Sequence, residues 1–123
     1  MASDQSTTVG ELRSLVERFV AERQWSVFHD PKNLSMSIAI EAAELMEHFQ
    51  WVRSEDLAAL INDAKLKSEI RDELADVLCY CLALSNVLGL ELSDAVRDKM
   101  IKNAAKYPAE QYRGVYSKPR GDP

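Results

Sequence analysis

Two short acidic repeats hold the residues of this chain that are best suited to chemistry. Glu41 and Glu44 stand three apart in the first repeat, and Glu73 and Asp76 stand three apart in the second. Because residues three apart share one face of a helix, each repeat directs two carboxylates to the same side. The spacing therefore predicts that four carboxylates converge in one place if the two helices pair.

The neighbours of these acids predict that this place is partly buried. Both repeats are flanked by apolar residues: Ile38, Ile40, Leu45, Phe49, Leu74, Val77 and Leu78. Four carboxylates in such surroundings repel one another, and each buried charge costs several kcal/mol. A hard divalent cation removes both costs, and Mg²⁺ and Mn²⁺ prefer carboxylate oxygen. We therefore expect a Mg²⁺ site that Mn²⁺ can also fill. The alternative is that the acids are solvated positions at helix edges.

The elements that must position these acids follow from the spacing of apolar residues. Hydrophobic residues recur at helical intervals over most of the chain, with few Gly and Pro to interrupt them. Helices are predicted at about 8–24, 31–52, 56–63, 65–88 and 92–106. Thr7 or Thr8 is expected to cap the first helix, and Gly89 to end the fourth. The predicted fold is all-α and resembles a four-helix bundle, packed as a homo-oligomer through its broad apolar faces.

Length and composition bound the class of protein. A chain of 123 residues with 46% hydrophobic and 28% charged residues is expected to form one domain, 1–123, with flexible ends at 1–7 and 113–123. The formal net charge of −5 argues against a nucleic-acid polymer as a partner. The apolar run from Leu74 to Leu90 is interrupted by polar residues, so we expect no membrane partner.

The two cysteines and the N-terminus indicate a compartment. Cys79 and Cys81 stand two apart, which points them to different sides of a helix, so we expect free thiols in the core rather than a disulfide. The first residues have neither a basic nor an apolar region of a secretory signal. Both features favour the cytoplasm.

A basic stripe and several aromatic residues are candidates for binding an anionic, ring-bearing ligand. Lys99, Lys102, Asn103 and Lys106 share one face of the last helix, although lysines near a helix C-terminus also complement its dipole. The aromatic candidates are Trp25, Phe28, His29, Trp51 and Tyr80. Trp25 and Trp51 equally suit a role in covering the core, and a lone histidine is often structural.

These motifs together resemble the all-α nucleoside triphosphate pyrophosphatases of the MazG-like group, and in particular the dCTP pyrophosphatase branch. The matching stretches are Glu41 to Glu44, Glu73 to Asp76, Glu22-Arg23-Gln24-Trp25, Phe28 to Leu34, Phe49-Gln50-Trp51, Asp76 to Tyr80, and Lys99 through Asn103 to Tyr107-Pro108. The resemblance covers roughly Val9 to Ala109. It implies homodimers or homotetramers with the substrate pocket near subunit contacts.

The resemblance also implies roles for individual residues. Glu41, Glu44, Glu73 and Asp76 would be the catalytic metal ligands. Residues implied to bind the nucleotide are Trp25, His29, Trp51, Tyr80, Lys99, Asn103 and Lys106. One position departs from the branch, which tends to carry a histidine in the first helix where this chain has Val16. Base preference is therefore open.

The function implied is Mg²⁺-dependent cleavage of a nucleoside triphosphate between its α and β phosphates, with dCTP or a modified dCTP as the expected substrate and nucleotide-pool sanitation as the purpose. Alternatives with the same chemistry are dUTP, dATP and phosphoribosyl-ATP. A non-catalytic helical interaction module is a further alternative. A di-iron bundle is disfavoured, because it needs two Glu-x-x-His pairs and His48 stands four after Glu44.

Overall fold

The computed structural model describes residues 2–116, and within them the chain contains helices and turns but no strand. The elements are α1 (Val9–Glu22), a 3-10 helix (Trp25–Phe28), α2 (Pro31–Glu47), a second 3-10 helix (Ser54–Asp56), α3 (Leu57–Ile61), α4 (Ala64–Leu88), α5 (Leu92–Lys106) and α6 (Ala109–Tyr112). The predicted all-α class is confirmed.

The helix ends follow from local capping chemistry. The side chain of Thr8 accepts a hydrogen bond from the Glu11 amide at the start of α1, as expected for an N-cap. Asp30 caps α2 through the Asn33 amide, with Pro31 at the first helical position. At the end of α4, Gly89 adopts φ 64°, a left-handed conformation that suits glycine.

The second helix is shorter than its apolar pattern predicts. Its expected end was near Val52, whereas α2 ends at Glu47. The chain then closes into tight turns: the Phe49 amide donates to the Met46 carbonyl at 2.9 Å, and the Val52 amide donates to the Phe49 carbonyl at 3.0 Å. The apolar residues beyond Glu47 therefore belong to a turn rather than to a helix face.

The chain forms two compact units, one up to Gly89 and another from Leu90. The single domain expected for 1–123 stays a prediction. In the first unit α2 packs along α4, and α1 and α3 also contact α4, which makes α4 the central helix. The most buried residues of this unit are Leu34, Leu82, Ala83 and Ser85. The Ser85 hydroxyl donates to the Leu82 carbonyl at 2.7 Å, so this buried polar group is satisfied.

Two expectations about burial are wrong. Ile40, Leu74 and Leu78, which flank the acids, expose 57%, 57% and 50% of their surface rather than packing inside the chain. Cys79 is exposed and Cys81 is half-buried, and both are free thiols. The reason is that neighbouring helices cover α2 and α4 over only part of their circumference, so an apolar residue on either helix is not necessarily a core residue.

In the second unit, the rings of Tyr107 and Tyr112 meet edge to face at 5.2 Å. The expected flexibility of 1–7 and 113–123 stays a prediction, and residues 117–123 lie outside the described part of the chain. Within residues 2–116, no single helix is long and apolar enough to span a membrane. The helices α4 and α5 have the required length and hydropathy only when they are counted together.

Candidate metal and nucleotide site

The pairing of α2 with α4 brings the two acidic repeats together. Carboxylate oxygens of Glu41, Glu73 and Asp76 lie within 4.8 Å of one another. Glu44, one helical turn after Glu41, adds to the raised pKa values of both Glu41 and Glu73, so its carboxylate is close to theirs. All four predicted acids therefore lie in one neighbourhood, three of them close enough to share one ion.

The electrostatics of this cluster are unfavourable in the absence of a cation. Burial, reinforced by Glu44, Asp76 and Glu73, raises the pKa of Glu41 to about 7. Burial and Glu44 also raise the pKa of Glu73, although His48 opposes that shift. Each glutamate keeps a buried oxygen, Oε2, that has no hydrogen-bond partner. Charged oxygens without donors are costly in such a place.

These observations fit a divalent cation. The donor set consists only of carboxylate oxygens, which hard ions such as Mg²⁺ and Mn²⁺ prefer. An ion between Glu41, Glu73 and Asp76 would supply the missing partner of both buried oxygens. It would also offset the mutual repulsion that raises the glutamate pKa values.

His48 is a contact of this cluster that the sequence did not indicate. Its Nε2 lies 4.0 Å from Oε1 of Glu73, with both side chains largely buried. From the sequence, His48 is a candidate only for an iron ligand, and it stands four residues after Glu44 where a Glu-x-x-His pair needs three. His48 is the C-cap of α2, which ends at Glu47, and there its side chain lies beside Glu73 on α4.

An apolar cavity of about 580 Å³ lies beside the acids in the first unit. We call it the aromatic cavity. Its walls come from α1, the first 3-10 helix and α4: Leu15, Val16, Phe19, Val20, Trp25, His29, Asp76, Cys79, Tyr80 and Ala83. Asp76 belongs both to the acid cluster and to this wall, so the two features are continuous. Three further predicted residues, Trp25, His29 and Tyr80, face the same space.

Trp25 is held in this wall by its neighbours. Gln24 adopts φ 54°, the left-handed conformation that reverses the chain after α1. The Trp25 ring then meets the ring of Phe19 edge to face at 5.7 Å. The guanidinium of Arg23 stacks on the Phe19 ring, 3.8 Å from its centroid. It also donates a hydrogen bond to the Phe19 carbonyl at 3.1 Å.

A second cavity of about 250 Å³ shares Val16, Val20, His29 and Ala83 with the first. We call it the adjoining cavity. The rest of its wall is more polar and consists of Glu17, Ala21, Ser26, Asn86 and Val87. The two cavities therefore lie side by side between α1 and α4.

The remaining predicted binding residues are not in these walls. Trp51 lies in the turn after α2 and exposes 88% of its surface. Lys99, Asn103 and Lys106 lie on α5 in the second unit, four and then three residues apart and so on one face of the helix. The Asn103 amide approaches the Met100 sulfur at 3.8 Å. Their binding roles stay predictions.

Sequence reasoning missed several residues of the cavity walls, among them Leu15, Phe19 and Cys79. On α1, Leu15 and Phe19 recur with the spacing of any core-facing helix, so nothing in the pattern separates a cavity wall from a packed interior. Cys79 carries a weak signal in hindsight, because it stands three after Asp76 and so shares its face. Partial desolvation by its neighbours and the charge of Asp76 raise the pKa of the Cys79 thiol.

Comparisons with known proteins show which proteins this chain is similar to. A model of the MazG-like family matches residues 36–119. Mouse dCTP pyrophosphatase 1 is 36% identical over 118 residues, which are 93% of this chain and 69% of the mouse protein. The human dCTP pyrophosphatase 1 is 36% identical over 106 residues, 86% of this chain and 62% of the human protein. The crystal structure of a pyrophosphatase from Archaeoglobus fulgidus DSM 4304 is 41% identical, matches with a TM-score of 0.75, and covers 88% of this chain and 99% of that one.

Proposed function

Because this chain belongs to the MazG-like family and is a nucleoside triphosphate pyrophosphatase, we propose that it cleaves dCTP or a modified dCTP between the α and β phosphates. The products would be the monophosphate and pyrophosphate, and the purpose would be nucleotide-pool sanitation in the cytoplasm. The observation that carries this proposal is the continuity, through Asp76, of a carboxylate cluster with an aromatic cavity. A site that has carboxylates for a cation at one end and aromatic rings for a base at the other suits a nucleoside triphosphate.

Glu41, Glu73 and Asp76 would hold Mg²⁺. Each of the three offers a carboxylate oxygen within 4.8 Å of the others. Glu41 and Glu73 each also carry a buried oxygen without a hydrogen-bond partner. When bound, Mg²⁺ would offset the charge of the triphosphate and polarise the phosphate oxygens. The three carboxylates would thereby fix where the triphosphate lies relative to the cavity.

Glu44 is the best candidate to activate water. It is exposed, and it is close enough to Glu41 and Glu73 to raise the pKa values of both. In that position its carboxylate would orient a water molecule and accept its proton as the water oxygen attacks phosphorus. The bond to the bridging oxygen between the α and β phosphates breaks in the same step, and that oxygen leaves with the pyrophosphate.

The aromatic cavity would hold the nucleoside. Trp25, fixed against Phe19, presents a ring on which a base can stack. Tyr80 follows Asp76 by one helical turn, which would place its ring between the phosphates and the base, at the sugar. Lys99, Asn103 and Lys106 would contribute charge and hydrogen bonds to the phosphates, and Trp51 a second stacking surface, as the family resemblance implies.

We also propose that the enzyme works as a homodimer or homotetramer. Met36 and Ile40 on α2, and Leu74 and Leu78 on α4, are pairs four residues apart that expose between 47% and 57% of their surface. Each pair forms an apolar stripe along its helix beside the acids. A second copy of the chain would remove these stripes from water, and self-association is the common way in which such faces are covered.

The activity is tested by incubating the protein with each deoxynucleoside triphosphate, each ribonucleoside triphosphate and phosphoribosyl-ATP in Mg²⁺, and separating the products by ion-exchange chromatography. We expect dCMP and pyrophosphate from dCTP, and a loss of about 100-fold or more in Glu41→Gln. Glu47→Gln is the matched control, since Glu47 is an exposed acid on α2 outside the cluster. Diphosphate and orthophosphate as products would contradict the proposed cleavage site.

Two other outcomes would redirect the proposal. Turnover of dUTP, dATP or phosphoribosyl-ATP in preference to dCTP would keep the chemistry and change the substrate. Binding of nucleotide without turnover of any of them would favour a non-catalytic interaction module.

The oligomer is tested by measuring molar mass with light scattering during gel filtration. We expect a multiple of the 13.9 kDa chain for the native protein and a smaller mass for Leu74→Glu, which places a charge in an exposed apolar stripe. Lys67→Glu, an exposed change on the same helix, is the control. A native mass of one chain would contradict the proposal.

A further inference from the structure

The acid cluster, the aromatic cavity and the adjoining cavity follow one another along α4. Asp76 marks the cluster, residues from Asp76 to Ala83 line the aromatic cavity, and residues from Ala83 to Val87 line the adjoining cavity. Seven helical residues rise about 10 Å, so the adjoining cavity begins about that far from Asp76 along the helix. A nucleotide with its phosphates at the acids and its ring in the aromatic cavity therefore points the far edge of its base toward the adjoining cavity.

The polar groups available at that far edge are few. Asn86 is engaged with Arg13, accepting from its Nε and donating to its carbonyl, each at 3.0 Å. Ser26 and His29 contribute from the first 3-10 helix and the residue after it. Glu17 is the one acid of this wall, it is exposed, and among the described residues no ion pair or hydrogen bond of its carboxylate is found. Its carboxylate is therefore available to a ligand.

We propose that Glu17 determines which pyrimidine base the enzyme accepts. A carboxylate only accepts hydrogen bonds, so it binds the exocyclic 4-amino group of a cytosine-type base. It repels the 4-keto oxygen of a uracil-type or thymine-type base, which also only accepts. A hydrogen bond to a charged group discriminates between bases more strongly than shape alone does, because the wrong base leaves the carboxylate facing another acceptor. This inference rests on the proposed function, because it takes the aromatic cavity to be the base site.

The test measures binding rather than turnover. Binding of dCMP and of dUMP in the presence of Mg²⁺ is measured by calorimetry for the native protein, for Glu17→Gln and for Glu11→Gln. Glutamine has nearly the same shape as glutamate but can turn its NH₂ toward a keto oxygen, so it removes the repulsion while keeping the volume. Glu11 lies on the same helix and lines neither cavity, which makes it the matched control.

We expect the native protein and Glu11→Gln to bind dCMP roughly tenfold or more tightly than dUMP, and Glu17→Gln to lose about tenfold of that ratio. An equal affinity for the two nucleotides in the native protein, an unchanged ratio in Glu17→Gln, or no binding of either nucleotide would each overturn the inference. Selective binding that depends on Glu17, in a protein that hydrolyses no triphosphate, would uphold it while rejecting the proposed function.

Discussion

Arg13 and Asn86 bind each other through two hydrogen bonds that join α1 to α4. The Arg13 Nε donates to Oδ1 of Asn86, and Nδ2 of Asn86 donates to the Arg13 carbonyl, each at 3.0 Å. The Arg13 Nη2 also donates to the Ser85 carbonyl at 3.5 Å. Since residues of α1 and α4 line both cavities, this pair holds together two helices that form the cavity walls.

Replacing Asn86 with Ala should therefore destabilise the fold. The half-buried Arg13 loses the acceptor of its Nε, and the loss of a hydrogen bond to a charged group costs about 1–3 kcal/mol. Urea unfolding followed by circular dichroism measures this cost. Asn62→Ala, an exposed asparagine after α3, should change the unfolding free energy by less than about 0.5 kcal/mol. Equal effects of the two changes would contradict a bridging role for Asn86.

Metal binding should depend on the acids whose oxygens converge. Mg²⁺ at 100 times its dissociation constant should raise the unfolding free energy by about 2.7 kcal/mol, because it binds only the folded cluster. Glu73→Gln and Asp76→Asn should weaken Mg²⁺ binding by tenfold or more, roughly as loss of a metal-site contact does. Thermal unfolding with increasing Mg²⁺ measures both effects.

Glu47→Gln is the control for this series, since Glu47 lies on α2 outside the cluster. The prediction fails if Glu47→Gln and Glu73→Gln weaken binding equally. It also fails if Mg²⁺ leaves the melting temperature of the native protein unchanged.

The raised pKa of Glu41 predicts how stability depends on pH without metal. Burial holds this pKa at about 7, above the ordinary value of 4.5. Between these values the folded state retains a proton that the unfolded state has lost, so stability falls as pH rises through this window. Glu41→Gln removes the ionisation, so the variant should lose less stability than the native protein between pH 5 and pH 8 in chelator.

Mg²⁺ should reverse the sign of this dependence in the native protein, because it binds the ionised carboxylates and displaces the proton. Melting temperatures from pH 5 to pH 8, with and without Mg²⁺, provide the measurement. Parallel curves for the native protein and Glu41→Gln in chelator would show that Glu41 does not titrate in this window.

The helix ends could be predicted from the sequence where capping residues mark them. Thr8 and Gly89 act at the helix ends where they stand, and each marks the end that it predicts. The end of α2 was misplaced because Phe49 and Trp51 continue the apolar pattern, although the backbone has already turned. The spacing of apolar residues indicates which side chains avoid water. It does not distinguish a helix from a turn that follows the helix.

Only the part of the site that consists of the two acidic repeats could be predicted from the sequence. Glu41 with Glu44, and Glu73 with Asp76, share helix faces, so their convergence needs only the pairing of α2 with α4. The cavity walls are different, because Phe19 and Trp25 meet through the left-handed turn at Gln24, which no periodic pattern predicts. The exposure of Leu74 and Leu78 could not be predicted either, since the spacing of apolar residues does not say whether the rest of the chain covers them.

The stacking role proposed for Trp25 leads to the last prediction. Its ring lines the aromatic cavity and is fixed edge to face against Phe19. Removing a stacked aromatic ring costs about 1–3 kcal/mol per base, so Trp25→Ala should weaken dCMP binding by roughly 5-fold to 150-fold. Calorimetry with dCMP in Mg²⁺ measures the affinity. Mg²⁺ binding itself should not change, because Trp25 contributes no carboxylate to the cluster.

Val27→Ala is the matched control for this change. Val27 belongs to the same 3-10 helix, exposes 77% of its surface and lines neither cavity. It should leave both affinities within about twofold, since surface changes away from such features alter free energies by less than about 0.5 kcal/mol. If Trp25→Ala binds dCMP as tightly as Val27→Ala does, the base does not stack on Trp25 and the aromatic cavity is not where the nucleoside lies.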